Sequence, residues 1–395
     1  MGSANRAGSV SKTPGKGPRR VLLLLMLLPL LMLLALNVVR PEDGAWPLTA
    51  ALAVCAVAGF GLVRSATPAA AGWLVSLTTV VLFAAGPEVA LRLAGYRHDV
   101  QGGIQFGYPR PELFTQFERD PELFWALPRT LEGVNRQGFI GSDWVLPKPA
   151  GVTRLVFFGD SCTQQGFPEG VAAYLRQGGD GEYDAINLGV SGYTSYQGRV
   201  LAGRWSEGLE PDVSLIYFGW NDHWLAWGEP DAEKAARYRT TGALTAFIDA
   251  SRVGQWIAER RMPRPESPTD RPRVSQTEYR QNLTEIGRTV AGEGSRVVLI
   301  TAPASHRRLG VPDRLVQMGQ ARDTASVLEL HDAYNAIVRE VAADQGWELL
   351  DLAAEADRLP DPQEMFLPDG IHFTRSGLHW IASRIAEHVG GDPSS

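Results

Sequence analysis

A chain of 395 residues with a formal net charge of −6 is long enough for one sizeable domain and an additional segment. The acidic balance argues against nucleic acid as a partner. The only two cysteines, Cys55 and Cys162, lie in an apolar run and beside a serine-bearing turn, which makes an intramolecular disulfide implausible; an exported domain with a large core needs none.

Residues 1–20 form a basic leader containing Arg6, Lys12, Lys16, Arg19 and Arg20. Residues 21–39 follow as an uncharged apolar run with one proline, Pro29, of a length that spans a bilayer. Weaker runs occupy about 47–63 and 69–86, so residues 21–90 read as a membrane anchor of about three helices. The competing reading is a cleaved signal peptide. The first run is longer than such a peptide's apolar stretch, no small-x-small site follows it, and further apolar segments come next. The positive-inside rule puts the leader in the cytoplasm. Three spans then place everything after about residue 90 on the periplasmic or extracellular side, whereas two would leave it cytoplasmic. The third run, poorest in strong hydrophobes, decides between them.

Residues 87–96 read as a helical connector ended by Gly95, and the lead-in to about 150 is rich in Gly, Pro and aromatics without a sustained period. From residue 152 onward, candidate strands at 154–158, 183–188, 212–218, 296–302 and 347–351 alternate with candidate helices at 168–177, 195–207, 277–292, 329–345 and 375–389. This alternation predicts a parallel sheet covered on both faces, a three-layer α/β/α sandwich over 151–395. A long insertion at about 224–275 interrupts the rhythm. Its Pro- and charge-rich tail, 260–273, reads as irregular, and its start beside Asn221-Asp222 places it to wall or cover a substrate.

The chemistry gathers at strand ends. The apolar run Arg154–Phe158 stops at Gly159-Asp160-Ser161, which presents Ser161 at the sheet edge where α/β folds bind ligands. A serine hydroxyl needs a base to take its proton. His372, in Asp369-Gly-Ile-His372, is the best candidate, with Asp369 placed to orient it and to favour its charged form. The N–H of Ser161 itself is one donor for the charge that develops on a substrate carbonyl oxygen.

These blocks, with Gly192 in Asn187-Leu-Gly-Val-Ser-Gly192-Tyr and Asn221 in Gly-Trp-Asn-Asp, resemble the SGNH (GDSL-type) serine hydrolases across roughly residues 135–390. The resemblance implies a flavodoxin-like sheet, a Ser161–His372–Asp369 triad and an oxyanion hole formed by Ser161, Gly192 and Asn221. Gly189 is a rival for the glycine. The segment Asn135-Arg-Gln-Gly-Phe-Ile-Gly141 is similar to the lead-in of membrane-anchored members, and packing against the sheet edge is its simplest role. No metal or cofactor is implied. Cys162 reads as a buried apolar side chain sooner than a rival nucleophile. His223, His306, His331, His379 and His388 lack metal-ligand spacing. Tyr193, His223 and Trp224 are candidate substrate contacts, although Trp220, Trp224 and Trp227 at this spacing are more often packing. The expected function is a membrane-anchored esterase acting on acyl esters, acetyl first, of envelope or extracellular glycans, or on lipid esters. Acyl transfer to a glycan is the alternative, and a non-catalytic assembly role comes third.

Overall fold

The computed structural model describes residues 16–39, 46–65, 67–96, 117–120, 122–237, 239, 251–261 and 267–391. Its contacts divide into two units, 1–101 with 241–264 and 102–240 with 265–395.

The first unit contains helices α1 (Lys16–Val39), α2 (Trp46–Arg64) and α3 (Pro68–Leu93). They pack through Met26, Leu30 and Leu33 of α1, Leu52 of α2, and Val81, Ala85 and Val89 of α3. Their outward faces are apolar too: Leu24 is 65% exposed and Phe83 is 81% exposed, a pattern that water disfavours and lipid accepts. By length and composition, Gly17–Val38 and Ala69–Leu93 can cross a membrane, while Leu48–Arg64 is shorter. The third run, expected to be the weakest, thus lies in a helix long and apolar enough to span. The third is lengthened because 87–93, expected as a separate connector, continues α3 through Pro87. In this same unit the Glu88 carboxylate pairs with Arg92 at 2.7 Å and accepts from Ser251 Oγ and the backbone N–H groups of Arg252 and Val253, capping the helix Arg252–Arg261. The middle of the insertion thus contains an ordered helix packed on α3.

The second unit is built on a five-stranded parallel sheet: β3 (Val152–Gly159), β4 (Glu182–Asn187), β5 (Val213–Tyr217), β6 (Arg296–Ile300) and β7 (Glu348–Leu350), in the order β4-β3-β5-β6-β7. Alternation along the strands feeds two cores. Val156, Phe158, Ile216 and Leu299 face α6 (Ser195–Leu209), Gln276–Gly292 and Thr324–Gln345, while Leu155, Phe157, Leu215 and Val298 face α5 (Phe167–Gly178) and Arg375–Gly390. The sandwich is thus three-layered and parallel, as the strand–helix alternation predicts. β3 lies between β4 and β5, so the chain reverses its direction of sheet growth there and opens a crevice at the carboxyl ends of the strands.

Two features carried no sequence signal. A short antiparallel hairpin pairs β1 (Glu118–Asp120) with β2 (Phe124–Ala126) inside the lead-in. The end of the insertion, expected to be irregular, pairs its backbone with 222–231: Ala226 N donates to Arg271 O at 2.8 Å, Arg273 N to Trp224 O at 2.8 Å and Asp231 N to Arg273 O at 2.8 Å. Satisfied backbone groups outweigh the Pro-rich composition here.

Candidate active site

Ser161 opens the one-turn helix α4 (Ser161–Gln164), whose N-cap is Asp160; the Asp160 Oδ1 accepts from Cys162 N at 2.9 Å. His372 and Asp369 lie on the loop 366–374. That loop is closed on itself by Leu367 N to His372 O at 2.7 Å and by the Phe366–Phe373 bridge. Gln165 stitches loop and serine together: its Oε1 accepts from Phe373 N and its Nε2 donates to Phe373 O, both at 3.0 Å.

The three side chains form a relay. His372 Nε2 is 2.8 Å from Ser161 Oγ, and His372 Nδ1 is 2.7 Å from Asp369 Oδ2. Asp369 Oδ1 also accepts from the N–H groups of Ile371 and His372, at 2.9 and 3.0 Å. Burial pushes the Asp369 carboxyl up, but the His372 contact and these N–H groups prevail and hold it down at about 2. For His372, burial works against the charged form, and the Asp369 carboxylate overcomes it, raising the imidazole above its ordinary value. Both side chains keep about a third of their surface exposed, so the edge is open to solvent.

Asn221 begins the second turn at the crevice, in α7 (Trp220–His223). Its Nδ2 donates to Tyr193 O at 3.0 Å and lies 3.3 Å from Asp160 Oδ2. Through it the serine, glycine and asparagine blocks are tied together. Burial raises Asp160 to about 6. The two glycines differ in conformation and surroundings. A Cβ on Gly189 would fall 2.6 Å from Gln164 N, so Gly189 permits close packing behind the serine turn. Gly192 has φ +81°, the region that favours glycine, in the loop that reaches Asn221.

The three candidate substrate contacts are corrected by burial. Tyr193 and His223 are each 1% exposed and Trp224 is 3% exposed. Tyr193 donates its hydroxyl to Trp125 O at 2.7 Å inside the core, and Trp224 packs on Trp220 and His223. His223 belongs to a buried chain: His331 Nε2 faces the Ala302 carbonyl at 2.8 Å and must donate to it, leaving His331 Nδ1 to accept from His223 Nε2 at 3.4 Å. Burial drives both imidazoles toward neutrality, His331 down to about 3. His306 Nε2 donates to the Asp369 backbone carbonyl at 2.7 Å, supporting the acid from behind. Cys162 is fully buried, and burial pushes its thiol well up, which removes the thiolate a nucleophile needs. No cluster of three metal-ligating side chains occurs among the described residues.

Such an edge can deprotonate a hydroxyl against a bound carbonyl and meet the resulting charge with N–H donors, the requirements of acyl transfer. The model of the GDSL-like lipase/acylhydrolase family matches residues 157–379, more than half of the 395. The chain belongs to this family. It is an SGNH serine hydrolase that acts on ester bonds. Similar solved structures include a lipase/acylhydrolase from Enterococcus faecalis, at 20% identity, covering 60% of this chain and 95% of that one with a TM-score of 0.40. A GDSL-like lipase from Bacteroides thetaiotaomicron is similar at 16% identity, 60% and 88% coverage and a TM-score of 0.38. An acetyl xylan esterase is similar at 19% identity, 60% and 99% coverage and a TM-score of 0.37. No curated protein matches the chain in sequence.

Proposed function

We propose that the chain is a membrane-anchored esterase in which Ser161 is the nucleophile, His372 the general base and acid, and Asp369 the group that orients and charges the imidazole. The observation that carries this reading is the continuous relay from Ser161 Oγ through His372 to Asp369. His372 Nε2 takes the hydroxyl proton as Ser161 Oγ attacks the ester carbonyl. The Ser161 and Gly192 N–H groups and the Asn221 amide receive the oxyanion, Asn221 exchanging its long contact to Asp160 for the substrate oxygen. The protonated imidazole then gives its proton to the departing alkoxide. Water, deprotonated by the same nitrogen, hydrolyses the acyl-enzyme. The chemistry draws on no cofactor.

Acylated envelope or extracellular glycans are the proposed substrates, with α1–α3 as the anchor, the basic leader cytoplasmic and the sandwich outside. The outward apolar faces of α1 and α3 support anchoring. A second reading, lipid esters, has its own support: a cleft of about 430 Å³ lined by Leu309, Val311, Pro312, Phe366 and Leu367 borders the loop bearing Asp369. Hydrolysis of p-nitrophenyl esters from acetate to decanoate by the full-length protein, beside Ser161→Ala, tests both. Turnover that is lost in Ser161→Ala and peaks at acetate supports the glycan acetate reading. A peak at longer chains supports lipid. Retained turnover in Ser161→Ala would overturn the serine mechanism, and acyl release only when a sugar acceptor is added would turn the reading to transferase.

A further inference from the structure

The N–H of Gly192 belongs to the peptide that joins Ser191 to Gly192. In a trans peptide the carbonyl and the N–H point to opposite sides of a rigid plane, so whatever holds the Ser191 oxygen fixes the direction of the Gly192 N–H. The group that holds it is Trp125, whose indole Nε1 donates to Ser191 O at 3.0 Å. Trp125 lies in β2, ahead of the residues that match the family.

The hold is needed because the hinge is a glycine. At φ +81° Gly192 meets little steric resistance to reorientation. A flip of the 191–192 peptide would turn the Ser191 carbonyl, with its negative end, toward the place where the oxyanion forms. The surrounding bonds work against that flip. Ser191 N donates to Gln164 Oε1 at 2.6 Å, and Gly192 O accepts from Arg273 Nη1 at 2.7 Å. Arg273 is itself fixed by a buried ion pair to Asp231 at 2.9 Å. Trp125 is 1% exposed and is anchored to the loop at a second point, its own carbonyl accepting from Tyr193 Oη at 2.7 Å.

Local backbone strain accompanies this placement. Phe124, the residue before Trp125, has φ +70°, a region that bulky side chains rarely enter. Its ring is stacked on Tyr196 at 5.6 Å and it is 2% exposed, so packing maintains the strain. The strained residue and the indole it aims sit together against the glycine loop.

We propose that Trp125 is a positioning residue for the esterase, locking the Ser191–Gly192 peptide with its indole N–H so that the Gly192 N–H faces the oxyanion. The inference rests on the assignment of Ser161 and Gly192 above. Through this contact the lead-in hairpin completes the oxyanion hole.

The test uses the full-length protein with Trp125→Phe, and with Trp125 replaced by benzothienylalanine, which keeps the shape of the indole and lacks the N–H. The expected result is a fall in kcat of roughly 10- to 100-fold with KM unchanged. Affinity for a phosphonate transition-state analogue should weaken in parallel. A purely structural role would lower thermal stability and leave that parallel absent. If Trp125→Phe fails to fold, the isosteric replacement decides. Wild-type kcat and analogue affinity in the isosteric variant, with Ser161→Ala inactive, would overturn this inference and leave the serine assignment standing. Activity in Ser161→Ala would instead remove the assignment on which it rests.

Discussion

His372 and His331 are the same residue type in the same unit and in opposite states. His372 stands at a half-open edge with a carboxylate on one nitrogen and a hydroxyl on the other, and its affinity for a proton is raised. His331 is stacked on Trp220 with ring centroids 3.8 Å apart, donates to a carbonyl, and is pushed down to about 3 by burial. The difference shows that a carboxylate neighbour can raise the proton affinity of an imidazole even against burial. Burial beside an aromatic ring turns it into a neutral donor. His306 lies between the two cases: it touches Asp369 through the backbone carbonyl only, and burial lowers it.

The sharpest way to break this contrast is to remove each histidine in turn. Ser161→Ala and His372→Ala should each lower kcat by about 10⁴-fold or more, measured on a p-nitrophenyl ester. Asp369→Asn should cost about 10³- to 10⁴-fold in kcat. It should also move the acid limb of kcat/KM. In the wild type that limb is expected above the ordinary histidine value of about 6.5, because the carboxylate raises His372, and without the charge it should fall. An unmoved limb would separate Asp369 from the titration of His372.

Asn221→Ala should lower kcat by about 10²- to 10³-fold, with a smaller effect on KM. The smallest effect on turnover is expected for His331→Phe, under about threefold, and its consequence should appear in stability. The folded-state value of about 3 lies below the unfolded value near 6.5, so between them the unfolded chain binds a proton that the folded chain does not. Stability therefore falls as pH drops from about 6.5 toward 3. Thermal unfolding across that range should show the fall lessened in His331→Phe. Asp369 has the carboxylate sign: its folded value of about 2 is depressed, so its contribution is present above the ordinary value near 4 and is lost as pH falls through 2.

The sheet was legible because β3, β5 and β6 are short apolar runs and strand-like segments alternate with helical periods, and the five observed strands fall on the expected segments. Ser161, His372 and Asp369 were legible because each sits in a turn at the sheet edge, where nothing in packing requires that trio. The misplaced residues failed for a common reason. Tyr193, His223 and Trp224 adjoin the reactive turns in sequence, but closeness along the chain does not set the direction of a side chain, and these three are buried in the core. Trp125, Gln165 and Arg273 carried no local signal at all, since each hydrogen-bonds backbone groups distant in sequence. In the apolar N-terminal segment, hydropathy located the helices but did not show that α3 runs on through Pro87.

The most direct test of the serine assignment is mass-spectrometric mapping of the full-length protein after reaction with a fluorophosphonate. A single adduct on Ser161, absent in Ser161→Ala and slowed in His372→Ala, is the predicted result. An adduct on Cys162, or an ester-hydrolysing enzyme that leaves Ser161 unmodified, would contradict it.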